Sequence, residues 1–250
     1  MSTYSIIIKN KSGLNQRYLL FNQPPIPTPN TASAFSNVWV RTSGTPSPKG
    51  KQELTIKTET FAMCGTLPEA LASNVIIKET DETAVNLTGG ANQKGTAPIM
   101  KIVADAPAFE APYGTTSAAN SFGITTKAWN NVEYKNKFWF GMGKYDDHNN
   151  VVPVACFPAL PSQAYTLQPV VKFYVGTGAY VPGTAVNVTQ IGSIGTINFT
   201  EAQAGQTIAN ITHQEDGTYS EPTFSYPPHP DGEERLLSQE AGSKALAIEG

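Results

Sequence analysis

Short runs of alternating apolar and polar residues, broken at close intervals by proline and glycine, constrain the fold of this chain more than any other feature. The sequence holds 19 prolines and 21 glycines among 250 residues. Alternation with a period of two is the signature of a strand, because successive side chains of a strand point to opposite faces. No stretch alternates helix with strand. The pattern therefore predicts an all-β protein and argues against Rossmann and TIM-barrel architectures.

The spacing of the strand-like runs is typical of a β-sandwich, and we count about thirteen of them. We expect a single antiparallel β-sandwich domain over residues 1–220, with long proline- and glycine-rich crossings. Residues 4–9 and 17–22 are expected to form a hairpin, and residues 52–64 one long strand. Residues 106–120 are expected to form an irregular crossing.

An acidic, proline-containing tail is predicted for residues 221–250, with Phe224 and Tyr226 holding it to the domain. The net charge of the whole chain is −3, from 17 basic and 20 acidic residues. Five of the acidic and two of the basic residues lie after residue 230, so the remainder of the chain is neutral. A neutral body without a basic stripe argues against nucleic acid as a partner.

The two cysteines, Cys64 and Cys156, are too few for a disulfide framework. Each shares a strand face with apolar residues, so we expect two buried free thiols. A single disulfide is the alternative. The first residues lack the basic and apolar segments of a secretory signal, and no apolar run reaches membrane-spanning length. The sequence therefore predicts a cytoplasmic protein without a transmembrane segment, with unconventional export as the alternative.

A hairpin over residues 133–157 is the most aromatic part of the chain. In its first arm, Trp139 shares a strand face with the charged residues Glu133, Lys135 and Lys137, which predicts that its ring lies on a wetter surface. The return arm, residues 151–157, is apolar on both faces and should be covered on both sides. Pro153 cannot donate a ladder hydrogen bond, so this arm should be bulged or lie at an edge.

The tip of this hairpin contains the candidate catalytic residues Asp146, Asp147 and His148. A carboxylate beside a histidine suits general acid–base chemistry, and the oxygens would suit a hard cation. The competing interpretation is a solvated turn, because Asp and Asn favour turns by bonding their own backbone. No EF-hand spacing supports a metal, and none is predicted.

Motifs that bind cofactors or activate nucleophiles are missing from the sequence. It has only three histidines, no Cys-X-X-Cys or His-X-X-X-His spacing, and no Gly-X-Ser-X-Gly elbow. Its glycine-rich pieces lack the Lys-Ser/Thr ending of a P-loop. We therefore expect no cofactor.

Aromatic and amide side chains remain as candidates for ligand contact. The predicted ligand-binding residues are Trp129, Asn130, Trp139, Tyr145 and Asn149. A flat ring beside amide groups suits a sugar or a flat small molecule, whereas the competing interpretation is that these rings complete the core.

Two functions are consistent with these features. The first is lectin-like binding of a small ligand or glycan, without a cofactor. The alternative is a cofactor-independent isomerase or cyclase that preorganises a hydrophobic small molecule and uses one acid or base. The partner would be a small molecule or carbohydrate, and assembly into a homo-oligomer is compatible with either function.

Overall fold

The structure, a computed structural model, describes residues 3–31, 33–89 and 92–228. About half of the chain (50%) is strand and 3% is helix, so the all-β prediction is confirmed. Among the described residues, no helix has the length and hydrophobicity needed to cross a lipid bilayer. The strands are β1 (Thr3–Asn10), β2 (Tyr18–Asn22), β3 (Phe35–Asn37), β4 (Val40–Arg41), β5 (Lys51–Lys57), β6 (Thr60–Thr66), β7 (Lys78–Val85), β8 (Gly95–Val103), β9 (Ala106–Thr116), β10 (Phe122–Thr126), β11 (Phe138–Tyr145), β12 (Val151–Pro158), β13 (Ala164–Leu167), β14 (Lys172–Thr177), β15 (Ala185–Val186), β16 (Gly195–Asn198), β17 (Ile208–His213) and β18 (Thr223–Ser225). Two short 3₁₀ turns cover Val188–Gln190 and Phe199–Glu201.

The strands belong to four sheets, not to the single sandwich of about thirteen strands that the sequence predicts. The largest sheet has the order β15-β3-β12-β11-β6-β7. Three four-stranded sheets have the orders β18-β17-β1-β5, β16-β14-β2-β4 and β13-β10-β8-β9. Most neighbours are antiparallel, but β1 and β17 are parallel. Strands far apart in sequence therefore pair, which a local pattern does not specify.

The six-stranded sheet is covered on both faces, as expected for the return arm of the central hairpin. One face contributes Phe138, Phe140 and Met142 to the main core, which all four sheets share. The other face contributes Phe61, Met63, Trp139 and Cys156 to a second cluster. Leu67, Val75 and Ile77, from the connection between β6 and β7, cover that second face.

Several expected elements differ in the structure. The prediction that residues 4–9 and 17–22 form a hairpin is wrong, because β1 and β2 belong to different sheets. The long strand over residues 52–64 is broken at Thr58–Glu59, so that β5 and β6 enter different sheets. Residues 106–116 form the strand β9, which pairs with β8 alone, and an edge strand tolerates its prolines.

Two local predictions are confirmed. The register of β11 and β12 shifts between Met142 and Gly143, which are paired with Ala155 and Pro153, so the return arm is bulged. Cys64 and Cys156 are buried free thiols. Burial raises the pKa of the Cys156 thiol to about 12, which leaves it protonated and unreactive near neutral pH.

The beginning of the predicted tail belongs to a sheet, because β18 pairs with β17. The Phe224 ring packs 5.4 Å from the ring of Phe199, and the Tyr226 hydroxyl donates a hydrogen bond to Gln203. The remainder of the tail, residues 229–250, lies outside the described residues. The boundary at residue 220 stays a prediction.

Candidate functional site

A buried lysine holds the break between β5 and β6. Lys144 lies near the end of β11 and is only 7% exposed. Its ammonium group donates hydrogen bonds to the carbonyl oxygens of Thr58 and Glu59, at 3.3 and 3.2 Å, and to the hydroxyl of Thr60, at 3.3 Å. These bonds lie where the chain passes from the sheet of β5 to the sheet of β6. They also bring a positive charge to the edge of the main core.

An apolar recess of about 180 Å³ opens beside this lysine at the edge of the main core. We call it the lysine recess. It is lined by Tyr4, Ile56, Lys57, Thr58, Thr60, Leu87, Lys144, Pro169, Val170, Val171 and Phe173. Its walls come from three sheets, because β1 and β5, β11 and β14 belong to different sheets. A cavity of about 150 Å³ accommodates a benzene ring, so the lysine recess has room for one small ring.

The electrostatics of the lysine recess favour an anion. Burial lowers the pKa of Lys144 to about 8, and the charge of Glu59 partly opposes this effect. The ammonium form therefore predominates at neutral pH, although it is poorly solvated. Lys57 adds a second cation at the rim, and none of the described residues that line the recess is acidic. Neither Lys57 nor Lys144 forms an ion pair with another described residue, so an incoming carboxylate would compensate their charge.

The predicted residues Tyr145 and Asn149 lie together near this rim. The Lys57 ammonium donates a hydrogen bond of 2.6 Å to the Asn149 side chain and lies 5.1 Å from the centre of the Tyr145 ring. The Phe61 ring packs edge-on against Tyr145 at 5.0 Å. Two of the five residues predicted to contact a ligand are therefore adjacent to the lysine recess.

Trp129 and Asn130 lie at the opposite end of β11. The Trp129 ring is half-buried and packs edge-on against Phe138, the first residue of that strand. Tyr145 is the last residue of the strand, and the seven residue steps between them span roughly 23 Å. The Asn130 side chain accepts hydrogen bonds from the backbone of Val132 and Glu133, which closes a turn. The structure does not bring these two residues to the lysine recess.

The prediction that Trp139 lies on a wetter surface is wrong. Its side chain is 0% exposed, and its indole nitrogen donates a 3.1 Å hydrogen bond to the carbonyl of Lys78. The charged residues used to infer an exposed face precede Phe138, where the strand actually begins. They lie in a turn and do not share its alternation. A ring with no exposed surface offers no contact to a ligand in this conformation.

The candidate catalytic residues form a compact surface turn. Asp146 accepts hydrogen bonds from the backbone of His148 and Asn150, both at 2.8 Å, and from the Asn150 side chain at 3.2 Å. Asp147 pairs with His148 at 2.8 Å. One side-chain atom of each residue that could bind a metal ion, a carboxylate oxygen of each acid and a ring nitrogen of the histidine, lies within 4.8 Å of the other two. Both carboxylate oxygens of Asp146 already accept hydrogen bonds from within the turn. The geometry is therefore that of a turn stabilised by its own side chains.

Comparison with known proteins adds no relative: no protein-family model matches the chain, and no match was found among curated proteins or solved structures.

Sequence reasoning missed Lys57 and Lys144, although a signal for Lys144 was available. Lys144 follows Phe138, Phe140 and Met142 at intervals of two residues along β11. It therefore points to the same face of the sheet, which is the core face. A lysine on the core face of an apolar strand requires partners for its charge. Lys57 and Leu87 carry no comparable signal, because only the tertiary fold brings them to the recess.

Proposed function

We propose that this protein binds a small apolar anion, of the aromatic carboxylate class, in the lysine recess without a cofactor. The observation that carries this proposal is the combination of apolar walls with two lysines and, among the lining residues that the structure describes, no acid. The apolar body of the ligand would contact Tyr4, Val171 and Phe173. Its carboxylate would lie toward Lys57, whose ammonium makes one hydrogen bond to the described residues, which leaves donors for a ligand.

The sequence predicts binding of either a small ligand or a glycan, and the lysine recess suits a small ligand better than a glycan. Protein sites for sugars need several acceptors and amides for the ring hydroxyls, and a buried hydroxyl without a partner is costly. The described lining residues include no Asp, Glu, Asn or Gln side chain. A flat ring with a single charged group leaves fewer polar groups to satisfy.

The alternative function, an isomerase or cyclase, stays a prediction. An enzyme of this kind needs an acid or base with a shifted pKa in an apolar pocket. Burial, together with the neighbouring Glu82 and Asp81, raises the pKa of Glu79 to about 7, but Glu79 does not line the lysine recess. Lys144 does line the recess with a lowered pKa, but its three donors are bound to Thr58, Glu59 and Thr60, so its geometry supports a binding role better than proton transfer.

A titration with benzoate at pH 7, followed by NMR, tests this proposal. We expect a dissociation constant on the order of 1 mM, since a ligand of this size supplies only a few kcal/mol. The uncharged isostere benzamide should bind at least tenfold more weakly, because it does not compensate the lysine charges. Shifted resonances should map to Tyr4, Val171 and Phe173.

Matched variants separate the recess from general charge effects. Lys57→Met should weaken benzoate binding about tenfold, which corresponds to about 1.4 kcal/mol. Lys51→Met, at the other end of the same strand, should leave it unchanged. Val171→Trp should abolish binding by filling the recess. Equal affinities for benzoate and benzamide, or equal effects of the two lysine variants, would refute the proposal.

A further inference from the structure

A second recess, of about 400 Å³, adjoins the lysine recess at the same end of the six-stranded sheet. We call it the acid–amide recess. It is lined by Thr58, Glu59, Thr60, Phe61, Ala84, Val85, Asn86, Leu87 and Tyr145. It shares Thr58, Thr60 and Leu87 with the lysine recess, so the two cavities adjoin at these residues.

The polar groups of the acid–amide recess are available to a ligand. Within the described part of the chain, no hydrogen bond to protein engages the Glu59 carboxylate, the Asn86 side-chain amide or the Tyr145 hydroxyl. The carboxylate only accepts, the amide both donates and accepts, and the phenol does the same. Such a set matches ring hydroxyls, each of which is both a donor and an acceptor.

Apolar surface accompanies these groups. Phe61, Val85 and Leu87 line the same recess, and Phe61 and Val85 are less than a tenth exposed. A sugar ring has an apolar face of C–H groups and a rim of hydroxyls, so it can use both kinds of lining at once. The lysine recess offers the opposite chemistry, because its described lining has two cations and no carboxylate or amide side chain.

We propose that the acid–amide recess binds a hydroxylated ring joined to the anion in the lysine recess, so that the ligand is an aromatic carboxylate carrying a glycosyl group. This inference rests on the proposed function, because it extends the ligand of that site. The two parts would lie on either side of Thr60 and Leu87, and the bend at a glycosidic oxygen suits that arrangement. Glu59 and Asn86 would bind the sugar hydroxyls.

The test compares benzoate with 4-carboxyphenyl β-D-glucopyranoside, both titrated against the full chain at pH 7. We expect the glucoside to bind at least tenfold more tightly than benzoate, since several new hydrogen bonds form within one molecule. Asn86→Ala should remove that gain and leave benzoate affinity unchanged. Asn86 is exposed, so this substitution should not disturb folding. Asn92→Ala, at an exposed position in the following loop, is the matched control and should retain the gain.

The outcomes separate the two proposals. If benzoate binds and the glucoside binds no more tightly, the second recess is not a sugar subsite and the proposed function stands. If the gain persists in Asn86→Ala, the assignment to the acid–amide recess is overturned. If neither probe binds, the proposed function fails and this inference fails with it.

Discussion

Trp139→Ala is expected to destabilise the protein by about 3–5 kcal/mol, the usual cost of truncating a buried aromatic side chain. The ring is fully buried in the second cluster, between β6 and the connection that covers it. Its loss would leave a cavity and would remove the hydrogen bond to the Lys78 carbonyl. Urea unfolding followed by circular dichroism measures the change.

Trp129→Ala is the matched control for this prediction. Trp129 is only half-buried, and its indole nitrogen has no partner among the described residues, so truncation removes less packing and no hydrogen bond. We expect a clearly smaller loss of stability. If Trp139→Ala is no more destabilising than Trp129→Ala, then the second face of the six-stranded sheet is not covered as the structure shows.

Lys144→Met is expected to change how stability depends on pH. The pKa of Lys144 is lowered from 10.5 to about 8 in the folded protein. Below pH 8 the Lys144 side chain is charged in both the folded and the unfolded protein. The folded protein then bears the full free-energy cost of burying the charge. Between pH 8 and 10.5 the folded protein loses this proton before the unfolded chain does, and that cost is relieved. Wild type should therefore gain about 3 kcal/mol relative to Lys144→Met as the pH rises through this window.

The difference between the two proteins isolates Lys144, because both contain the same tyrosines and other lysines. Unfolding free energies at intervals from pH 7 to pH 10.5 give the curve. Lys94→Met replaces an exposed lysine, and its unfolding free energy should change with pH in parallel with that of wild type. If the Lys144→Met difference is constant across this range, Lys144 keeps an ordinary pKa and the description of the recess as poorly solvated is wrong.

The sequence predicts the local features of this fold much better than its long-range pairing. The continuous apolar run of residues 151–157 corresponds to β12, and Pro153 indicates the bulge. No local pattern indicates that β1 pairs with β17, about 200 residues later, or that the chain changes sheets at Thr58–Glu59. At that point Lys144, from another part of the chain, donates hydrogen bonds to the backbone carbonyls of Thr58 and Glu59.

The site shows the same division. Tyr145 and Asn149 are predicted as ligand residues, and both lie beside the lysine recess. The predicted exposure of Trp139 is wrong because the residues before Phe138 form a turn and do not continue the alternation of the strand. The recess itself needs residues from three sheets, so its existence follows only from the tertiary structure.

Proton uptake on benzoate binding is the most direct test of the lysine recess as an anion site. At pH 8 about half of the Lys144 side chains should be neutral, and a bound carboxylate should return them to the charged form. Calorimetric titration in two buffers of different ionisation enthalpy should therefore show an uptake of up to about half a proton per benzoate bound. The uptake should disappear in Lys144→Met. Binding without proton uptake, or with proton release, would contradict the account.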